Sequence, residues 1–256
     1  MFYTKTTFIG IDPTAGDHPF VYAALDHELR LLALGQGSME DILAFAAGQH
    51  QAVAAVCAPR LPNQGLMARP EIRQDLTPAP TPGRWLNFRL ADYLLRQRRL
   101  SSVQTPAEEE QCPRWMRNGF LLYRRLEGLG YQIYPHEQAE LQCLEVYPHA
   151  CYAALLGKLP FPKHSLEGRI QRQLVLYENR LNVPDPMRIF EEITRHRILK
   201  GVLELDNLYT PGELDALVAA YTAHLASNHP DQVTVLGDPR EGEVVLPAAE
   251  LKGKYS

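Results

Sequence analysis

Three carboxylates stand at positions where a carboxylate can do chemistry. Asp12 closes the apolar run 7–12, Glu145 lies in the apolar run 141–148, and Asp215 lies near the start of a late helical segment. A carboxylate at the tip of a buried strand is costly to desolvate, so it usually has a paired charge, a hydrogen-bond network or a bound cation. A bound cation is the option that would make these residues a reactive centre.

Length and composition fit one elaborated domain. The chain has 256 residues, 45% of them hydrophobic, which is enough to bury one sizeable core. No apolar run approaches the roughly 20 residues that span a bilayer, and residues 1–5 do not open a signal peptide. We therefore expect a cytoplasmic protein with no membrane partner. The four cysteines form no Cys-x-x-Cys pair, so neither structural zinc nor a disulfide is expected.

An arginine-rich segment interrupts the acidic balance of the chain. The net charge is −4, yet residues 60–125 contain twelve arginines, six acidic residues and no lysine. Arginine binds phosphate bidentately, so the segment is either a nucleic-acid surface or a solvated face whose arginines pair with acids. Its aromatic residues either stack on bases or belong to the core. These aromatic residues are Trp85, Phe88, Tyr93 and Trp115.

The N-terminal part of the chain predicts consecutive strands. Residues 6–12, 19–26 and 29–35 alternate in hydrophobicity across short polar turns, which is typical of strands. A helix over 38–47 follows, with a serine as its candidate N-cap. The uniformly apolar run 52–58 indicates a strand that is buried on both faces of a sheet.

The remainder predicts an insertion, another strand and several helices. Residues 60–138 are rich in proline and contain helical segments near 86–99 and 113–128, which we interpret as an insertion. Residues 141–148 indicate a further strand, and a short helix begins at His149. The last predicted elements are helices over 165–181, over 185–200 and from 210, and a hairpin over 233–247.

This order of elements matches the ribonuclease-H-like fold. We therefore predict an α/β protein with a mixed sheet of three antiparallel strands plus parallel strands, flanked by helices. Residues 1–256 would form a single domain, with the arginine-rich insertion at about 60–138. Sites gather outside the carboxyl ends of parallel strands, where Asp12, Cys57 and Glu145 fall.

Several stretches together go further than the fold. The matching stretches span nearly the whole chain: Ile9–Asp12, Val53–Pro59, Glu145–Ala150, Gly168–Arg169, Asp215–Ala223 and Gly242–Pro247. In this order they resemble the domain of unknown function 429 family, whose members are described as predicted ribonuclease-H-like nucleases. The resemblance implies a nuclease that hydrolyses phosphodiester bonds with two divalent ions.

The resemblance also implies roles for individual residues. Mg²⁺ or Mn²⁺ would be held by the catalytic carboxylates Asp12, Glu145 and Asp215, with Asp12 as the bridging ligand. Basic residues after the last parallel strand would stabilise developing charge on the phosphate. The candidates are Lys163, Arg169 and Arg172.

One departure from the family pattern bears on catalysis. Cys57 stands where the family usually has an aspartate, and a neutral thiol is a poor ligand for Mg²⁺, which prefers hard oxygens. The chain is therefore interpreted as a metal-dependent nuclease, with catalysis impaired or retuned at this position. The alternative is a noncatalytic ribonuclease-H-like module that binds nucleic acid, through the arginine-rich insertion, or a protein partner.

Overall fold

One mixed sheet forms the centre of the molecule. A computed structural model describes residues 6–13, 19–192, 195–202 and 205–256. The strands are β1 (Thr7–Asp12), β2 (Phe20–Leu25), β3 (Leu31–Gly37), β4 (Ala52–Val56), β5 (Gln132–Ile133), β6 (Leu141–Glu145), β7 (Thr234–Asp238) and β8 (Gly242–Leu246). They lie in the order β3-β2-β1-β4-β6-β8-β7, with β5 paired to β6.

The central strands bring three chain positions to one edge of the sheet. β1, β2 and β3 form an antiparallel meander, whereas β1, β4 and β6 run parallel. Val56 pairs with Ile11 on one side and with Glu145 on the other, so the carboxyl ends of these strands are level. Every residue of β4 is buried, as expected for a strand with neighbours on both sides and helices on both faces. The predicted ribonuclease-H-like α/β arrangement is confirmed.

Helices cover both faces of the sheet. They are α1 (Met39–Ala47), α2 (Pro70–Gln74), α3 (Leu90–Gln97), α4 (Arg114–Gly128), α5 (Pro148–Leu156), α6 (Leu166–Glu178), α7 (Ile189–Glu192), α8 (Arg195–Leu199) and α9 (Pro211–Asn228). Phe8 belongs to the core shared with α9, whereas Ile9 belongs to the core shared with α1 and α4. Successive side chains of a strand point to opposite faces, so β1 separates the two cores. No helix in the described part of the chain has the length and apolar composition needed to cross a membrane.

Some boundaries differ from the predicted ones for local reasons. The third strand begins at Leu31 because Asp26 closes a tight turn by accepting the N–H groups of Glu28 and Arg30 at 2.8 and 2.9 Å. The helix predicted over 86–99 begins at Leu90. Residues 86–88 instead belong to a turn that starts at Trp85, where the backbone has a positive φ of 68°.

The C-terminal half also departs from the prediction. The helix predicted over 165–181 ends at Glu178, and the backbone then turns through a positive φ at Arg180. The helix predicted over 185–200 is divided into a 3-10 turn at Pro186–Arg188 followed by α7 and α8; residues 193–194 of that prediction lie outside the described residues. The predicted C-terminal hairpin is β7 and β8, and β8 joins the sheet in parallel with β6. The insertion boundaries at about 60–138 stay a prediction.

Candidate functional site

Asp12 and Asp215 meet because α9 lies unusually close to β1. A Cβ added to Gly10 would stand 1.9 Å from the Ala216 carbonyl oxygen, so only glycine permits this approach. The start of α9 lies in ordinary contact with the end of β1, since a Cβ on Gly212 would stand 3.8 Å from Asp12 Oδ2. The contact of α9 with β1 therefore delivers the carboxylate of Asp215 to that of Asp12.

Local sequence fixes where α9 begins. Thr210 Oγ1 accepts the N–H of Glu213, and the Glu213 carboxylate accepts the N–H of Thr210, which forms a complete capping box. Pro211 takes the first helical position, where its missing N–H has no cost. The predicted start of this helix is confirmed, and it places Asp215 one turn inside the helix.

The two carboxylates, Asp12 and Asp215, interact with each other and with one ammonium group, that of Lys163. Burial and the nearby charge of Asp215 raise the pKa of Asp12 to about 7, although Lys163 acts in the opposite direction. Lys163 Nζ donates to Asp215 Oδ2 at 2.8 Å. Burial would lower the pKa of Lys163, but the attraction of Asp215 outweighs it and the pKa is raised. Two acids thus share one ammonium, and the negative charge of the pair is only partly neutralised.

A clamped loop presents Lys163 to this pair. A Cβ on Gly168 would stand 1.9 Å from the Pro162 carbonyl oxygen, so the loop lies directly on the first turn of α6. Ser165 caps that helix by accepting the N–H of Gly168 at 3.1 Å. Both backbone polar groups of Phe161 are hydrogen-bonded to α6. The N–H donates to Gln171 Oε1 at 2.8 Å, and the carbonyl oxygen accepts from Arg172 Nη1 at 2.8 Å. This loop is therefore a preformed support for one ammonium group.

Glu145 is committed to a different partner. Arg89 binds its two carboxylate oxygens at 2.6 and 3.0 Å, and the backbone N–H of Arg60 adds a third bond at 2.9 Å. Arg89 also binds Asp92 through two bonds of 3.1 Å. The side chains of Arg89 and Glu145 are 1% and 4% exposed. In the sequence Arg89 is one of twelve arginines in residues 60–125, and no local pattern marks it as the partner of Glu145.

Cys57 lies beside the carboxylate pair as a neutral thiol. It follows β4 at the edge where Asp12 ends β1, and its Sγ donates to the Asp215 carbonyl oxygen at 3.7 Å. Burial, with the charges of Asp12 and Asp215, raises the pKa of this thiol well above its usual value. Cys57 therefore adds no negative charge at the position where the resemblance to the family led us to expect a carboxylate.

The donor set suits one hard divalent ion better than two. Mg²⁺ is commonly held by one or two carboxylates while it keeps several waters, and Asp12 and Asp215 supply that many. A second ion would need the oxygens of Glu145, which are occupied by Arg89, or a charged group at Cys57. Among the described residues, no group of three His, Cys, Asp or Glu side chains is arranged to hold a metal. The predicted three-carboxylate ligand set is thus not assembled there.

An open cavity of about 820 Å³ contains the carboxylate pair. Asp12, Asp215 and Lys163 lie in its wall, together with Arg172 and the aromatic side chains of Trp115 and Tyr147. Arg169, the remaining predicted phosphate-binding residue, is not among the described residues of this wall. Its Nε and Nη2 instead donate to the carbonyls of residues 209 and 208 at 2.8 and 2.6 Å.

Most arginines of the insertion are bonded within the protein. Arg73 donates to four backbone carbonyls, and Arg96 donates twice to the Ser102 carbonyl. Arg124 and Arg125 form ion pairs with acidic side chains. Arg60, Arg89 and Arg98 also donate hydrogen bonds within the protein. Trp85, Phe88 and Tyr93 pack with one another, which agrees with their interpretation as core residues.

The fold and the site together define an α/β protein of the ribonuclease-H-like class with a carboxylate pair at the carboxyl ends of its parallel strands. The sequence profile of the family described as "Protein of unknown function (DUF429)" matches residues 10–241. The chain belongs to this family, so the resemblance drawn from the sequence is confirmed. Neither a curated protein nor a solved structure matches the chain.

Proposed function

We propose that this protein hydrolyses phosphodiester bonds of nucleic acid with one divalent ion, Mg²⁺ or Mn²⁺, held by Asp12 and Asp215. The observation that supports the proposal best is the carboxylate pair in the wall of an open cavity, where negative charge is only partly neutralised by Lys163. A divalent ion would supply the missing positive charge, activate water and polarise the phosphate.

The residues of the cavity have separate roles in this proposal. Asp12 and Asp215 bind the ion and orient the scissile phosphate. Lys163, held 2.8 Å from Asp215, would neutralise negative charge that develops on the phosphate. Glu145 acts at a distance by holding the insertion against the sheet through Arg89.

Nucleic acid as the substrate and cytoplasm as the location are parts of the same proposal. Exposed arginines of the insertion, outside its internal bonds, offer positive charge for a phosphate backbone. They are Arg69, Arg84, Arg99 and Arg117. The four cysteines are free thiols, which suits a reducing compartment.

The direct test is cleavage of labelled single- and double-stranded DNA and RNA with Mg²⁺ or Mn²⁺. Wild type should cleave at least one substrate only when the ion is present, and Asp12→Asn should lose that activity. Asp231→Asn, at an exposed aspartate, is the matched control and should behave as wild type. Equal residual cleavage by wild type and Asp12→Asn would end the catalytic proposal.

A noncatalytic binding module is the second candidate. It is favoured by two observations at the same edge of the sheet: Glu145 is bonded to Arg89, and Cys57 is uncharged. Cys57→Asp separates the two candidates. A gain of divalent-ion binding or of cleavage in this variant would support a nuclease that lost a ligand, whereas unchanged behaviour in both assays would favour the module.

A further inference from the structure

Arg172 is a buried cation for which the described part of the chain provides no ion-pair partner. Arg172 is 2% exposed, and it forms no ion pair with any described residue. Nη1 donates to the backbone carbonyls of Phe161 and Gly168 at 2.8 and 3.0 Å, the guanidinium lies 5.3 Å from the ring centre of Tyr152, and Nε has no partner in the described part of the chain. Asp215 acts on it only from further away. Carbonyls and a ring supply partial charges, so the formal charge stays uncompensated.

The uncompensated charge faces the cavity together with His149. Both residues lie in the cavity wall. Burial lowers the pKa of His149, and the positive charge of Arg172 lowers it further. The imidazole therefore lies within electrostatic range of the guanidinium. A positively charged side chain and a neutral donor therefore share one part of the wall.

The first turn of α5 adds a second, independent feature of the same kind. Tyr147 is its N-cap residue and provides no side-chain cap, and the first turn contains no acidic residue. Tyr147, Pro148 and His149 all line the cavity. The free N–H groups and the positive end of the dipole at such a helix start favour an anion.

We propose that Arg172, His149 and the first turn of α5 form an oxyanion site that binds a phosphate group of the ligand. A phosphate supplies the negative charge that Arg172 lacks and accepts hydrogen bonds from the guanidinium, the imidazole and the helix N–H groups. The inference rests on the proposed function only for the choice of phosphate as the oxyanion. The oxyanion site would anchor the ligand, and it is distinct from the carboxylate pair of Asp12 and Asp215, where the proposed reaction takes place.

The test is the binding of inorganic phosphate to the full chain, measured by calorimetry without any divalent ion. Wild type should bind phosphate, and Arg172→Met should weaken binding by about 10- to 100-fold, the range expected for hydrogen bonds to a charged group. Arg169→Met is the matched control: it lies one turn earlier on α6 and also bonds two carbonyls, but it is absent from the described cavity wall. It should bind phosphate as wild type does.

Two further variants keep the test decisive if Arg172→Met unfolds. Arg172→Lys keeps the charge but loses the planar fork, and His149→Gln removes only the imidazole; each should weaken phosphate binding severalfold while the circular dichroism spectrum stays unchanged. Wild-type phosphate affinity in both variants, or no phosphate binding by wild type, would overturn the proposal. Asp12→Asn should keep phosphate affinity even though it would abolish the proposed cleavage, so failure of one proposal is distinguishable from failure of the other.

Discussion

Arg89 grips Glu145 through both carboxylate oxygens, and both side chains are almost completely buried. The pair links the N-terminus of α3 in the insertion to the end of the central strand β6. A buried carboxylate whose two oxygens both accept hydrogen bonds from one arginine has a structural role. The sequence, in contrast, predicts a metal ligand at this strand end. This relationship changes the candidate site from three carboxylates to two.

Breaking the Arg89–Glu145 pair should destabilise the protein. Removing one member of a buried ion pair leaves the other charged and unpaired, which costs about 3–5 kcal/mol. We expect this loss for Arg89→Met in urea denaturation, with partial recovery in the double variant Arg89→Met/Glu145→Leu. Titration of Glu145→Gln with Mn²⁺ tests whether Glu145 is a metal ligand. A folded variant that has lost Mn²⁺ binding would contradict the structural role of Glu145.

Asp12→Asn should stabilise the metal-free protein above neutral pH. Because the pKa of Asp12 is raised from 3.8 to about 7 in the folded state, the folded protein binds its proton more tightly than the unfolded chain does. Stability should therefore fall as pH rises from about 4 to about 7 and stay level above that range, by about 4 kcal/mol for this one group, since each pKa unit corresponds to about 1.4 kcal/mol.

The measurement is the melting temperature of wild type and Asp12→Asn between pH 4 and 8 in a chelating buffer. The variant should lose most of this fall and melt higher than wild type at pH 8. Asp231→Asn, which makes the same change in formal charge at an exposed position, is the control. Parallel melting curves for wild type and Asp12→Asn would contradict the raised pKa.

Gly10→Ala should separate the two carboxylates. The new methyl group would stand 1.9 Å from the Ala216 carbonyl oxygen and 2.5 Å from the Ala220 nitrogen, so α9 must shift, at a cost of about 3 kcal/mol. We expect a lower melting temperature and weaker Mn²⁺ binding. Gly128→Ala is the matched control because a Cβ there meets no atom within 4 Å, and it should be neutral or slightly stabilising.

Lys163→Met should have opposite effects on ion binding and on cleavage. Removal of the ammonium from Asp215 leaves the carboxylate pair more negative, so Mn²⁺ should bind several times more tightly. Cleavage should slow about 10- to 100-fold, because the charge that stabilises the phosphate is lost. Lys158→Met, at an exposed lysine of the preceding turn, serves as control. Weaker Mn²⁺ binding by Lys163→Met would assign the lysine a purely structural role.

The sequence by itself determined the sheet and the position of Asp12. The unbroken apolar run of β4 is a local pattern that reports burial of a strand on both faces. The capping box at Thr210 is equally local, and it fixed the start of α9 to the residue. Such features need only neighbours along the chain, which is why they are readable without a structure.

Only the tertiary structure decided which charges meet. Arg89 lies 56 residues before Glu145, and Lys163 lies 52 residues before Asp215, so no periodicity relates the members of either pair. The Lys163–Asp215 pairing follows from the close packing of α9 on Gly10 and of the loop before α6 on Gly168. At the Arg89–Glu145 pair, a Cβ on Gly242 would stand 3.0 Å from Arg89 Nη1 and 3.0 Å from Glu145 Oε2. The energy of a buried charge depends on the partners that the whole fold brings within a few ångströms. For that reason the same residue type is a candidate ligand at Asp12 and a structural ion-pair partner at Glu145.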